Sequence, residues 1–220
     1  MPADPVVFEV PVPVGGDPVI VAVERARMAD PAAVAALRGP ERERHAGMAP
    51  RRAAEFARGR ILLRWLAGAV LGIPADQVPV LAPPGQRPRL AGHRCGVSVS
   101  HTAQTTTAAI WPGGEVGIDA EEPPASLSAS LIRRCCGPWA ADLASLPRYQ
   151  RSALFARVWT VQEACVKARG LGLAGAPWRI PANPYARQGQ WQELRWHALD
   201  ALAPTAITVA VRLVPALNRN

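Results

Sequence analysis

Two long segments with helical periodicity, each followed by β-rich runs, constrain the fold of this 220-residue chain most strongly. In the first, from Arg51 to Leu71, apolar residues recur at the spacing of a partly buried helix. The second runs from Ser152 to Arg169 and ends at Gly170, a common helix stop. Elements of this length bury their apolar faces only by packing helix on sheet. We therefore expect an α+β fold with two similar lobes, each a long helix on a small antiparallel sheet, related by a pseudo-twofold.

The β-rich runs give the expected order of strands and a division of the chain. CGVSVSHT, TTTAAIW and EVGIDAE follow the first helix, are separated by turn residues and predict one small antiparallel sheet. WQELRWHAL and AITVAVRLV follow the second helix. The segment EPPASLSAS holds nothing that could build a core element, so it is the predicted boundary between an N-terminal lobe, 1–121, and a C-terminal lobe, 122–220. A cleft between two lobes is a common ligand site.

Charge and cysteine content limit the possible partners and compartment. The formal charge of +8 favours an anionic partner, such as nucleic acid, an anionic membrane, a polyphosphate or an acidic protein. The longest apolar run, from Ile61 to Ile73, contains Arg64 and is shorter than the roughly 20 residues of a membrane-spanning helix. The four cysteines form no C-x-x-C pair, and the N-terminus lacks a signal-peptide pattern. We therefore expect a cytoplasmic protein with reduced thiols and no membrane partner.

A pair of carboxylates in the run VGIDAE is the first candidate site. Asp119 and Glu121 are alternate residues of a predicted strand, so their side chains lie on the same face. Such a pair can hold a hard cation, and Mg²⁺ suits it because this ion takes oxygen ligands and keeps waters that a phosphate can displace. The alternative is a solvated strand end before Pro123.

An acid and a base on the second long helix form another candidate. Trp159, Glu163 and Lys167 are spaced four apart, which places them on one helix face. There they could complete a metal site and neutralise phosphate charge. The alternative is an ordinary surface ion pair between Glu163 and Lys167.

The run GVSVSHT supplies hydroxyls and an imidazole at a strand end. Ser100 and His101 could bind phosphate oxygens by hydrogen bonds. A lone histidine is more often structural, and the chain has neither the acid spacing of a hydrolase triad nor a Walker loop.

In their order, S-H-T, then D-x-E, then W-x-x-x-E-x-x-x-K-x-x-G-x-G-L, these motifs resemble the 4'-phosphopantetheinyl transferases of the surfactin-synthetase-activating type. Those enzymes show a serine-histidine signature, a G-[IV]-D-x-E strand and a W-[ST]-x-K-E-A-x-x-K-x-x-G-x-G-L helix. RPRL is similar to the family's G-K-P-x-L segment, with Arg87 in place of lysine. Two positions depart from the family pattern: Gln162 stands where lysine is frequent, and Ser98 where asparagine is frequent.

The resemblance implies transfer of the phosphopantetheine arm of coenzyme A to a serine of an apo acyl or peptidyl carrier protein, with release of 3',5'-ADP. It implies Mg²⁺ held by Asp119, Glu121 and Glu163, with Glu163 accepting the serine proton. Lys167 and His101 would donate to the phosphates. Further coenzyme A contacts expected from the resemblance are Arg52, Arg87 and Ser100.

Two alternatives from other classes stay open. A basic nucleic-acid-binding protein would explain the charge but gives no role to the paired acids. A metal-dependent phosphohydrolase would use the same carboxylates on another phosphate ester. The resemblance favours coenzyme A and a carrier protein, whose acidic acceptor helix matches a basic surface, over nucleic acid. Two lobes in one chain would permit a monomer.

Overall fold

The computed structural model describes residues 5–12, 17–25, 34–83 and 85–213, and the chain divides into two compact units, Met1–Pro112 and Gly113–Asn220. The strands are β1 Val6–Val10, β2 Val19–Arg25, β3 Val80–Leu81, β4 Arg89–Leu90, β5 Gly96–His101, β6 Thr105–Trp111, β7 Glu115–Glu121, β8 Gln188–Trp191, β9 Leu194–Leu202 and β10 Thr205–Arg212. The α-helices are α1 Gly39–Ala46, α2 Pro50–Leu71, α3 Ala129–Cys136, α4 Ala140–Ser145 and α5 Arg148–Arg169. Short 3-10 turns lie at Ala75–Gln77, Gly137–Trp139, Gly172–Gly175 and Pro177–Arg179.

In the first unit, helix α2 packs on an antiparallel sheet with strand order β1-β2-β6-β5. Leu62, Leu63 and Leu66 of the helix are buried in one cluster with Ala108 and Ile110 of β6. The apolar spacing seen in the sequence thus puts one helix stripe on the sheet. The helix ends at a glycine in the left-handed conformation, as its sequence predicted.

In the second unit, helix α5 packs on an antiparallel sheet with strand order β7-β10-β9-β8. Phe155, Val158 and Val161 of the helix share a core cluster with Leu194 and Trp196 of β9. Gly170, also left-handed, ends the helix. The predicted α+β class, with a long helix on an antiparallel sheet in each half, is confirmed.

The prediction that β5, β6 and β7 form one sheet is wrong. Strand β6 lies between β2 and β5, so both of its edges are already hydrogen-bonded and β7 cannot pair with it. Strand β7 pairs instead with β10, with Asp119 opposite Thr208. The division between the compact units therefore falls after Pro112, earlier than the boundary predicted after Glu121.

Helix α3 begins inside the segment predicted as a boundary, and α4 follows it; neither helix was predicted from the sequence. The Ser128 hydroxyl caps α3 by accepting a hydrogen bond from the Leu131 amide at 3.2 Å. Within the described part of the chain, no helix is long and apolar enough to cross a membrane. The four cysteines are free thiols, as expected.

Candidate active site

A glycine fixes the point where strand β7 crosses helix α5. A Cβ atom at Gly117 would lie 2.1 Å from the carbonyl oxygen of Ala164 and 2.4 Å from the amide nitrogen of Ala168. No side chain fits in that space, so only glycine lets the strand and the helix approach this closely. Asp119 is two residues further along the strand and shares the helix-facing side.

Lys167 bridges the helix and the strand at this crossing. Its Nζ donates to Oδ1 of Asp119 at 2.6 Å and to the carbonyl oxygen of Ile118 at 3.1 Å. Asp119 is only 6% exposed, and a buried carboxylate needs a partner of opposite charge. Lys167 therefore contacts strand β7 as well as lying on the helix face of Glu163, which a simple surface pair within the helix would not require.

Glu163 lies one helical turn before Lys167 and is half-buried. Its Oε1 is buried without a hydrogen-bond partner. Burial and, secondarily, the charge of Asp119 raise the pKa of Glu163 above the ordinary carboxyl value, while Lys167 partly offsets this. Trp159, one turn earlier again, stacks on Phe155 against the unit's core, so its role is packing.

Glu121 belongs to the same group of charges. Burial, the charge of Asp119 and that of Glu122 raise its pKa, and Lys167 lowers it. Asp119 therefore lies close enough to Glu121 and to Glu163 to repel each of them when ionised. This repulsion is what a divalent cation would relieve.

Asp119, Glu121 and Glu163 are the residues predicted to hold Mg²⁺. Among the described residues, no three His, Cys, Asp or Glu side chains are arranged so that they could hold a metal ion, and Asp119 is paired with Lys167. The chemistry of the donors nevertheless fits this ion, because all three are hard oxygen ligands and Glu163 keeps a buried oxygen without a partner. The Mg²⁺ set of Asp119, Glu121 and Glu163 stays a prediction.

The first unit holds the predicted phosphate-binding residues. His101 ends β5, and its Nδ1 lies 3.5 Å from Oε2 of Glu55 on α2. Ser100 is buried, whereas Arg52 and Arg87 are exposed. Glu55, which the sequence motifs did not single out, is a carboxylate on the buried face of α2.

Gln162 has a structural role that the motif comparison did not reveal. Its side chain is fully buried, and Nε2 donates to the carbonyl oxygens of Cys135 at 2.7 Å and Ile180 at 3.0 Å. The amide thus ties α5 to the end of α3 and to the chain beyond α5. Ser98, the other departure from the family pattern, is buried in β5.

Comparison with known families bears directly on the α5 and β7 crossing. Residues 115–208 match the 4'-phosphopantetheinyl transferase superfamily. The matched range, a little under half of the chain, contains all three carboxylates and Lys167.

A curated relative agrees with this match. The chain is 33% identical over 131 residues to the 4'-phosphopantetheinyl transferase HetI of Nostoc sp. (strain PCC 7120 / SAG 25.82 / UTEX 2576). The alignment covers 57% of this chain and 55% of HetI, so the chain spans about half the length of that relative. Neither the nucleic-acid-binding nor the phosphohydrolase alternative gains support from these matches.

Proposed function

We propose that this chain transfers the 4'-phosphopantetheine arm of coenzyme A to a serine of an apo acyl or peptidyl carrier protein, as a transferase of the surfactin-synthetase-activating type. The observation that carries the proposal is the contact between Lys167 and Asp119 beside the half-buried Glu163. These residues occupy the positions of the family's D-x-E and E-x-x-x-K motifs, inside the range that matches the superfamily.

The reaction exchanges one phosphorus–oxygen bond for another. The serine Oγ attacks the β-phosphorus of coenzyme A, the bond from that phosphorus to the bridging oxygen breaks, and 3',5'-ADP leaves. Glu163 accepts the serine proton, and its raised pKa, caused by burial and by Asp119, brings it nearer to the value that suits a general base. Lys167 and His101 donate hydrogen bonds to the phosphates and stabilise the charge on the leaving group.

Asp119, Glu121 and Glu163 would hold Mg²⁺. When bound, this ion would neutralise pyrophosphate charge that the side chains alone cannot balance. The chain's own contribution is to keep the carboxylates in place, because Lys167 fixes Asp119 from the helix side at 2.6 Å.

Side chains of the first unit bind the remaining phosphates of coenzyme A. Arg52 and Arg87 are exposed guanidinium groups, which match phosphate oxygens in two-pronged hydrogen bonds. Ser100 and His101 add a hydroxyl and an imidazole at the end of β5. Arg87 keeps the positive charge of the lysine that it replaces.

The charge of the chain fits the second substrate as well. With a net charge of +8, it complements the acidic acceptor helix expected of a carrier protein. We propose that it acts as a cytoplasmic monomer without a nucleic-acid or membrane partner.

Intact-mass measurement of apo acyl and apo peptidyl carrier proteins, after incubation with the chain, coenzyme A and Mg²⁺, tests the proposal. The expected result is one phosphopantetheine added per carrier and an equal amount of 3',5'-ADP released, with neither product when a chelator is present. Release of inorganic phosphate from nucleotides with an unmodified carrier would instead identify a phosphohydrolase. DNA binding that weakens steeply with salt, without coenzyme A binding, would identify a nucleic-acid-binding protein.

A further inference from the structure

We propose that Glu55 is a positioning residue that holds His101 as an imidazolium, so that Nδ1–H faces Glu55 and Nε2–H faces a phosphate oxygen of coenzyme A. The inference deepens the proposed function and rests on it. It concerns a carboxylate outside the family's three motifs.

The contact follows from how α2 lies on β5. A Cβ atom at Gly59 would lie 2.9 Å from Cγ1 of Val99, so the helix approaches the strand closely at this point. Glu55 is one helical turn before Gly59, and His101 is two residues beyond Val99 on the same strand face. Both side chains are therefore brought to the same place by the packing of their elements.

Glu55 has a different partner for each of its oxygens. Oε1 accepts from Nε of Arg51 at 3.0 Å, and Oε2 lies 3.5 Å from Nδ1 of His101. The residue is only 7% exposed, and a charge buried to that degree needs compensation. The side chain of Arg51 is 78% exposed, so water screens its interaction with Glu55 and leaves His101 as the more buried partner.

The protonation state of His101 determines whether Nε2 donates or accepts a hydrogen bond. A neutral imidazole with its proton on Nδ1 can only accept at Nε2, whereas phosphate oxygens require a donor. A carboxylate beside Nδ1 favours the doubly protonated ring. Glu55 on α2 lies 3.5 Å from His101, with Arg51 behind it, and the uncharged Thr106 is opposite His101 in register on β6. Glu55 therefore turns a strand-end histidine into a cationic phosphate donor.

The test is to measure 3',5'-ADP binding by calorimetry, because this product contains the phosphates but cannot undergo transfer. The proteins compared are the wild type, Glu55→Gln, His101→Asn and the double variant. Glu55→Gln should weaken 3',5'-ADP binding about tenfold, the lower end of the loss seen when the carboxylate behind a metal-bound histidine is removed. This loss should be found at about pH 7.5 and shrink at about pH 5.5, below the ordinary histidine pKa of about 6.5, where the ring is protonated in both proteins. Glu55→Gln should add nothing in the His101→Asn background.

Arg51→Gln is the matched control, since it removes the other partner of Glu55 and should change binding less than about twofold. The chain has four histidines, so side-chain ¹⁵N spectra can follow His101 once His101→Asn assigns its signals. Both ring nitrogens should be protonated in the wild-type complex at about pH 7.5, and only one in Glu55→Gln.

The inference would be overturned if Glu55→Gln bound 3',5'-ADP as tightly as the wild type. It would also be overturned if Glu55→Gln weakened binding just as much in the His101→Asn background. In either case the proposed function would stand as long as the wild type modified the carrier. Absence of both 3',5'-ADP binding and carrier modification in the wild type would overturn the proposed function itself, and the inference with it.

Discussion

Lys167 on helix α5 and Asp119 on strand β7 form a 2.6 Å ion pair, and the same ammonium also donates to the Ile118 carbonyl oxygen. The Lys167 ammonium thus offsets the negative charge of three carboxylates, Asp119, Glu121 and Glu163, within a single unit. The helix and the strand are held together at the point where the proposed chemistry occurs.

Replacing Lys167 by methionine should slow carrier modification about 100-fold or more, because a charged donor near the phosphates is lost. It should also lower the free energy of unfolding by about 1 to 3 kcal/mol, since Asp119 is left buried without its partner. Steady-state kinetics and urea unfolding measure the two effects. Arg212, which is partly exposed and pairs with Glu115 and Glu193, supplies the control, and Arg212→Gln should change stability by less than about 1 kcal/mol. Equal effects of the two substitutions would contradict the role of Lys167.

Gly117→Ala should be severely destabilising, by about 2 kcal/mol or more, because its Cβ overlaps backbone atoms of α5 that cannot move aside. The strand would be pushed from the helix and Asp119 with it, so transfer should be lost together with stability. Thermal unfolding and carrier modification report both. At Gly47, φ is −85° and an added Cβ would have its nearest neighbour at 3.8 Å, so Gly47→Ala should be tolerated. If Gly117→Ala were as stable as Gly47→Ala, the close crossing would not exist.

Gln162→Leu should lower the free energy of unfolding by about 1 to 3 kcal/mol, because two buried carbonyl oxygens lose their donor. Gln162→Lys should not strengthen coenzyme A binding, since the side chain lies in the core of the unit. Urea unfolding and calorimetry measure these effects. Gln150→Leu, on an exposed turn of the same helix, should change stability by less than about 0.5 kcal/mol. A gain in coenzyme A affinity for Gln162→Lys would show that position 162 faces the substrate after all.

His197 should make the protein less stable in acid. Burial and then the charge of Arg195 lower the pKa of His197 from the ordinary 6.5. Below that pH the unfolded chain binds a proton that the folded chain does not, so the unfolding free energy falls as the pH drops toward the folded pKa. His197→Gln should flatten the stability profile below pH 6.5. Identical profiles for the wild type and His197→Gln would rule out this contribution.

Local patterns predicted most of the elements but not the way they pair. Apolar spacing and a terminal glycine located α2 and α5, because both signals arise within the helix itself. The strand that pairs with β7 could not be predicted from local patterns, because β10 lies far along the sequence. Nor could local patterns show that both edges of β6 are hydrogen-bonded to β2 and β5. Helix α3 was missed although Ser128 and Gly137 mark its ends and Ile132, Cys135 and Cys136 follow helical spacing, because its first turn lies in the polar segment that was predicted to be a boundary.

The candidate site shows the same division between local and long-range information. The motifs predicted that Asp119 and Glu121 share a strand face and that Glu163 and Lys167 share a helix face. The hydrogen bond from Lys167 to Asp119 depends on the crossing at Gly117, which joins residues distant in sequence. Likewise, the role of Gln162 depends on Cys135 and Ile180, on either side of it in the chain.

The most direct test compares holo-carrier formation by the wild type and by Glu163→Gln, with the thermal stability of both proteins measured alongside. We expect one phosphopantetheine per carrier for the wild type and none for the variant. Because the folded pKa of Glu163 is raised from 4.5, its ionisation lowers stability as the pH rises through that pKa, so the variant at neutral pH should be at least as stable as the wild type. A Glu163→Gln protein that modified carriers at the wild-type rate would contradict the proposed mechanism.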